Sequence, residues 1–572
     1  MYIDVVPNRT SPPAILLRES YREDGKVKKK TLANLSGLPP KLVEEIKRLL
    51  KGAVAIDPKD VFTIESSVGH GHVEAVLGTI KGIGLDRMIS STPCRERSLV
   101  LAMIAGQLIH PSSKIGSTRL WPTTTLADEL GVSDADENDL YRAMDWLLAK
   151  KDRIEKKLAG KHLGEGGHAL YDISSSYYEG STCALAYFGH NRDGKKGKKI
   201  IVYGMMTNAE GCPVAMQVYP GNTKDSVTVA DQADKLRGRF GLDKVVLVGD
   251  RGMITQVQVD QLKTYPGIGW ITAMGYQAIK KVAGEGSLQL SLFDKDNIAE
   301  ITSPAYPGER LVACYNPLVG EKRRKSREAL LQATEQNLDK IVREAGRRTK
   351  KKLSNEDISI KVGKVIGKHK MHKHVELTIE EGALSYQRNE ASIKQEADLD
   401  GIYVVRTNEP KEHLSTREIV RSYKNLSKVE RLFRTLKGVD ILVRPIRHRL
   451  EDRVKAHIFI CMLAYYVQWH MRKALAPLLY DDEALEQARY ERDPVTPAEP
   501  CEGAKKKKHT GKTDDGLVVQ SFDTLMANLG SRTRNRCRFK VDRADEKSII
   551  NRLTELTPLQ KKAYELLNIR TQ

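Results

Sequence analysis

Three carboxylates stand out by their settings: Asp172 in HALYDISSSYYEG, Asp250 in KVVLVGDRGM and Glu430 in SYKNLSKVERLFRTLKG. The first two lie in or directly after runs that read as buried strands, where an unpaired carboxylate is costly and a metal ion is a natural partner. Three hard oxygen donors with open positions suit Mg²⁺ or Mn²⁺, which prefer carboxylate and phosphate oxygens and keep exchangeable waters. Two such ions, about 4 Å apart, can activate an attacking oxygen and stabilise a leaving 3′ oxygen during in-line displacement at phosphorus. That chemistry needs no covalent protein nucleophile. Asp172, Asp250 and Glu430 are therefore the candidate catalytic residues and metal ligands. Tyr423, Arg434 and Lys437, which read as sharing a helix face with Glu430, are candidates for positioning and neutralising phosphates.

The elements that must bring these residues together follow from periodicity. In the first motif Leu170, Asp172 and Ser174 alternate with Tyr171 and Ile173, so a strand aims Asp172 at one side of a sheet. The second acid follows Val245–Val248 and the strand-breaking Gly249, at the carboxyl end of a central strand where open α/β sheets gather ligands. Between them, KKIIVYGMMT and PVAMQVYP read as a hairpin pair and TKDSVTVADQADKLRGRF as a helix, giving strand, strand, strand, helix, strand. For the third acid, Val429, Leu432, Phe433 and Leu436 form an apolar stripe, Ser427 reads as an N-cap three residues before Glu430, and Gly438 closes the helix. Each acid alone has an ordinary reading as well. Asp172 could cap a turn, Asp250 could open a helix, and Glu430 could pair with Arg434 on a solvated face.

Together the motifs resemble transposases of bacterial insertion sequences, in the IS-four branch, whose ribonuclease-H-like core carries an Asp, Asp, Glu triad. The resemblance rests on the order of elements around Asp172 and Asp250, the phrases GDRGM and DLDGIYVVRTN (398–408), and the YKNLSKVERLFRTLK block, and it covers about residues 165–475. That family surrounds its Glu with Tyr, two residues, Arg, three residues, Glu, six residues, Lys. Tyr423, Glu430 and Lys437 occupy the matching places, whereas Leu426 stands where the Arg would be, leaving Arg421, Lys424 or Arg434 to fill that role. The resemblance also implies an insertion between the second Asp and the Glu that holds DNA ends, with a Trp stacking on a flipped base. No Trp lies between Trp270 and Glu430; Tyr386 and Tyr403 are the substitutes, and packing is the other reading of both.

Composition agrees with a polyanionic partner. The 572 residues carry a formal net charge of +20, and the basic residues come in blocks: 26–30, 193–199, 321–327, 347–352, 505–508 and 532–540. Seven scattered cysteines without a CxxC pair argue against a zinc ribbon or disulfide framework and fit a reducing cytoplasm. His369, His372 and His374 cluster in GKHKMHKH, which reads as a basic surface strand rather than a metal site. The opening MYIDVVPNRTSPP lacks the pattern of a secretory leader, and the apolar run 458–467 is about half the length of a membrane span, so it reads as a buried helix and no membrane partner is expected.

The expected fold is α/β: a ribonuclease-H-like mixed-sheet core interrupted by an α+β insertion, with a mainly helical N-terminal region. The expected division is a small α+β module (1–75), a helical region that is a candidate DNA-binding element (76–165), the first part of the core (166–270), the insertion (271–400), the second part of the core (401–480), and a linker with a basic C-terminal element (481–572). Within 76–165, TLADELGVSDADENDLYRAM has a helix, turn, helix rhythm, although its acids would repel phosphate; an ordinary helical hairpin is the alternative. Residues 494–516 read as a flexible linker. The expected activity is that of a transposase binding the terminal inverted repeats of its element, cleaving double-stranded DNA at the ends and joining them to target DNA. It would act in the cytoplasm, on the nucleoid, as a homodimer in the DNA-bound state. A ribonuclease-H-like nuclease without strand transfer, and a non-catalytic DNA-binding regulator derived from a transposase, are the alternatives.

Overall fold

The computed structural model describes residues 1–9, 11–53, 62–348, 352–496, 498–539 and 549–570. Its centre is an eight-stranded sheet: β1 (Gly167–Tyr177), β2 (Ile200–Thr207), β3 (Pro213–Pro220), β4 (Val245–Val248), β5 (Ile268–Ala273), β6 (Ile298–Ile301), β7 (Arg310–Tyr315) and β8 (Ile402–Thr407). The spatial order is β3-β2-β1-β4-β5-β8-β7-β6. β1, β4 and β5 are parallel, while β2 and β3 form the antiparallel meander. The five strands β3-β2-β1-β4-β5 are the ribonuclease-H-like core. Every residue of β2, β4 and β5 is buried, as expected of strands covered on both faces. The helix Thr228–Asp234 lies between β3 and β4 in sequence, and Gln256–Leu262 connects β4 to β5, so the chain order read from the sequence is the order observed.

The chain between β5 and β8 differs in detail from a self-standing insertion. β6 and β7 extend the sheet, β7 pairing antiparallel with β8 and β8 with β5. Leu311, Val312, Ala313 and Cys314 of β7 are all buried, so both faces of this added strand are covered. Ile279, Val282, Leu288 and Leu311 share one core with Ile402 and Val404 of β8, and the following portion has another. There the helices Pro317–Arg347 and Asn355–His369 and the hairpin Val375–Glu380/Ala383–Arg388 enclose Leu331, Leu338, Ile358, Val362 and Leu384. Tyr386 is engaged in that portion, donating its hydroxyl to Asp339 Oδ1 at 2.5 Å, and Tyr403 lies within β8. His374 pairs with Glu396 at 2.6 Å; His369 and His372 do not join it in a metal-ligating group among the described residues.

Helices pack beside the sheet. Arg95–Ile109, Glu137–Ala149 and Glu451–Leu475 contact one another, and the last is buried continuously from Ala456 to Gln468. Among the described residues no helix is long and apolar enough to cross a membrane. In the stretch with helix, turn, helix rhythm, Gly131 takes a positive φ of 66° after Leu126–Leu130, and Asp136 and Asp139 form the capping box of Glu137–Ala149. Its acids are partly neutralised from within, since Arg95 pairs with Asp134 at 3.1 Å and Asp139 at 3.2 Å. The segment read as a linker contains a helix, Glu502–Thr510, in which Lys507 donates to the Ala476 carbonyl at 3.0 Å.

The chain divides into two compact units, Gly69–Arg532 with Glu555–Gln572, and Met1–Val68 with Thr533–Thr554. The smaller unit holds an antiparallel sheet of Tyr2–Val6, Ala14–Glu23 and Lys26–Asn34, the helix Pro40–Leu50, and a second sheet in which Thr533–Phe539 lies between Ile549–Leu553 and Phe62–Gly69. Of the basic blocks, residues 349–351 and 540 lie outside the described residues.

Candidate active site

Parallel pairing of β1 with β4 places the first two acids side by side. Leu170 is in register with Val248, and Asp172 and Asp250 each follow two residues later. Asp172 is half-buried and its Oδ1 accepts from the N–H of Ile173 at 2.8 Å. Burial pushes its carboxyl up to about 7, and the charges of Asp250 and Glu430 add to that shift against the opposing Ile173 hydrogen bond and Arg192. Asp250 is exposed, at the strand's carboxyl end. Its Oδ1 accepts from the N–H groups of Gly252 and Met253, both at 2.9 Å, which fixes the carboxylate while leaving Oδ2 outside those bonds.

Glu430 arrives on the helix Leu426–Lys437, whose Val429, Leu432, Phe433 and Leu436 are buried as the stripe requires. Phe433 packs edge-on to Tyr203 of β2, with ring centroids 5.9 Å apart. Polar ties hold this region at three points: Ser422 Oγ to His168 Nδ1 at 2.9 Å, Lys428 Nζ to the Ala209 carbonyl at 2.9 Å, and Lys437 Nζ to Asp193 Oδ1 at 3.0 Å. Glu430 and Arg434 are exposed, and among the described residues neither has a hydrogen bond or ion pair. The Glu430–Arg434 ion pair of the ordinary reading is thus not formed.

Two local expectations are corrected. Ser427 does not cap the helix; Asn425 occupies the N-cap, and the capping box lies one helix earlier, at Ser415 and Glu418 of Thr416–Lys424. Tyr423 belongs to that earlier helix, so it does not share a continuous helical face with Glu430. It still lies within electrostatic range of the acids. Burial, then Asp250 and Glu430, push its hydroxyl up to about 12, which keeps it a neutral hydrogen-bond donor rather than a nucleophile.

An open cavity of about 460 Å³ is lined by Asp172, Asp250 and Glu430 together with Arg192, Arg434 and Lys437. The sequence reading missed its other half. Asp193, with a fully buried side chain, accepts from Lys437, from Arg444 Nη1 at 2.6 Å and, through Oδ2, from the N–H of Tyr177 at 3.0 Å. Arg192 pairs with Asp225 at 2.6 Å. Leu426, at the departure from the family pattern, is buried in the core. Of the cations considered in its place, Arg421 is held by the Tyr490 carbonyl and ring, and Lys424 by the Val495 carbonyl at 2.8 Å. Arg434 is the one of the three without a partner.

Two family models match the chain. Residues 171–467 match the model of the transposase DDE domain, a span that contains all three acids. Residues 3–58 match the model of the N-terminal domain of IS1634 family transposases, so the IS-four wording of the resemblance is slightly off while the insertion-sequence transposase reading stands. No curated protein matches the chain. Among solved structures, a piggyBac transposase synaptic complex with hairpin DNA, determined by cryo-EM, aligns over 80% of this chain and 76% of that one, at 10% identity and a TM-score of 0.33.

Proposed function

This chain belongs to the DDE-domain transposases of insertion sequences, and from that premise we propose that it binds the terminal inverted repeats of its element, cleaves the DNA there and transfers the ends to target DNA. The observation that carries the reading is the convergence of Asp172, Asp250 and Glu430 on one open cavity whose rim holds the unpartnered guanidinium of Arg434.

The donor set fits a hard divalent cation. All three candidate ligands are carboxylates, and Asp172 is held in surroundings that disfavour its anionic form unless positive charge is brought to it. Mg²⁺ or Mn²⁺, with two ions as the expected number, would supply Lewis acidity toward phosphate oxygens and lower the pKa of a bound water. The protein's residues do the rest. Asp250 is fixed by two backbone N–H groups, and the helix that carries Glu430 is fixed by the buried stripe beneath it; Arg434 neutralises a phosphate at the rim, and Tyr423 donates a hydrogen bond.

In the first reaction the oxygen of water attacks the phosphorus at the element's end, the bond to the 3′ oxygen breaks, and a 3′ hydroxyl is left. In the second, that hydroxyl's oxygen attacks a target phosphorus and displaces its 3′ oxygen, so one phosphodiester is exchanged for another. Two ends must be held together, so the working form is a homodimer assembled on double-stranded DNA, in the cytoplasm on the nucleoid. The portion of the insertion with its own core, bearing the 321–327 basic block, is the proposed element for gripping the ends.

The test uses duplexes ending in the inverted repeats that flank the coding region, with a supercoiled plasmid as target. Cleavage products and their covalent joining to the plasmid are expected. Cleavage without joining, even from precut ends, would make the protein a nuclease of the same core instead.

A further inference from the structure

Apart from the acidic cavity, three distant parts of the chain bring soft metal-ligating side chains together. His162 ends the helix Lys151–His162, Cys212 lies in the turn between β2 and β3, and His470 lies on the helix Glu451–Leu475. One ligand atom of each lies within 4.8 Å of the other two. Cys212 is a free thiol with no exposed surface. His162 Nε2 is hydrogen-bonded to the Tyr466 hydroxyl at 2.9 Å, whereas His470 Nε2 is buried without a partner. A buried ring nitrogen in that state is costly unless something engages it.

We propose that His162, Cys212 and His470 form a three-ligand site for a thiophilic divalent cation of the zinc class, distinct from the carboxylate site. A thiolate with two imidazoles is a donor set that zinc accepts and Mg²⁺ does not favour. On loading, the Cys212 S–H bond breaks, its proton goes to solvent and the sulfur binds the metal. The Tyr466 hydroxyl is placed to orient the His162 ring, as outer partners of metal-bound histidines commonly do. Ligand atoms around tetrahedral zinc lie roughly 3.3–3.8 Å apart, inside the 4.8 Å that bounds their separations here. A fourth position remains for water.

The site would fasten two helices to the β2–β3 turn. That same turn supplies the Ala209 carbonyl that holds Lys428 of the Glu430 helix, so its ordering bears on where Glu430 stands. The role is positional, and it does not depend on the transposition chemistry.

The test is a Co²⁺ titration of the full-length chain, stripped with chelator, reduced, and kept in excess Mg²⁺ so that the carboxylates hold the hard ion. One equivalent should bind with a thiolate-to-cobalt charge-transfer band, and Zn²⁺ should displace it. Cys212→Ser should abolish the band, and His470→Gln should weaken Co²⁺ binding at least tenfold. No band in the parent protein, or a full band in Cys212→Ser, overturns the site. If Cys212→Ser does not fold, His162→Gln and His470→Gln decide: unchanged band intensity and affinity in both overturns it, and loss in both supports it.

Discussion

The buried carboxylate of Asp193 holds Lys437: its Oδ1 accepts from Lys437 Nζ at 3.0 Å and from Arg444 Nη1 at 2.6 Å, while Oδ2 takes the N–H of Tyr177 at the end of β1. The C-terminal end of the Glu430 helix is thereby anchored to the strand that carries Asp172. Lys437 occupies the family's Lys position, yet its charge is committed within the protein, and Arg434 is the cation left facing the cavity.

Replacing Asp193 with Asn removes the anion from two part-buried cations, and breaking such a network should cost about 3 kcal/mol. Lys437→Gln should cost less, about 1–2 kcal/mol, because Arg444 and the Tyr177 N–H remain as partners. Urea denaturation of the two variants beside the parent checks both values; equal stability of all three would mean that the network anchors nothing.

Arg434→Gln should behave in the opposite way. Its side chain is exposed and unpartnered, so stability should change by no more than about 0.5 kcal/mol. Binding to an inverted-repeat duplex should weaken, with the slope of log K against log salt reduced by about one. Salt titrations by anisotropy that overlay those of the parent would leave Arg434 as a solvated residue.

Asp172 makes metal-free stability depend on pH. Its carboxyl sits near 7 in the folded chain and near 3.8 when unfolded, so folding takes up a proton between those values and stability falls as pH rises through them. The loss should be of order 4 kcal/mol by pH 8 in chelator, and Mg²⁺ should restore part of it. Asp172→Asn should be more stable than the parent at pH 8 in chelator and close to it at pH 4. The same stability difference between the two proteins at pH 4 and at pH 8 would contradict this.

The sequence revealed most where local pattern and burial coincide. Alternation around Asp172 and the apolar run before Asp250 mark strands that are buried in fact, and the Val429, Leu432, Phe433, Leu436 stripe marks the face that packs. Asp193 was illegible because it lies in a Gly- and Lys-rich loop that reads as solvated, and its cationic partners, Lys437 and Arg444, lie more than two hundred positions away. The break at Asn425, which separates Tyr423 from the Glu430 helix, carries neither Gly nor Pro. β6 and β7 are short, and only tertiary pairing with β8 makes them part of the sheet. The His162, Cys212, His470 cluster is likewise a product of the fold, with no spacing to announce it.

The central claim is that Asp172, Asp250 and Glu430 act as one metal-dependent site, and isosteric neutralisation tests it most directly. Asp172→Asn, Asp250→Asn and Glu430→Gln each remove a ligand charge, and Asn at 250 keeps an oxygen for the N–H groups of Gly252 and Met253. Cleavage of an inverted-repeat duplex in Mg²⁺ or Mn²⁺ should be abolished in all three, while salt-dependent binding of the same duplex stays within about threefold of the parent. Cleavage at parental rate in any one of them would remove that residue from the site, and cleavage retained in all three would contradict the account.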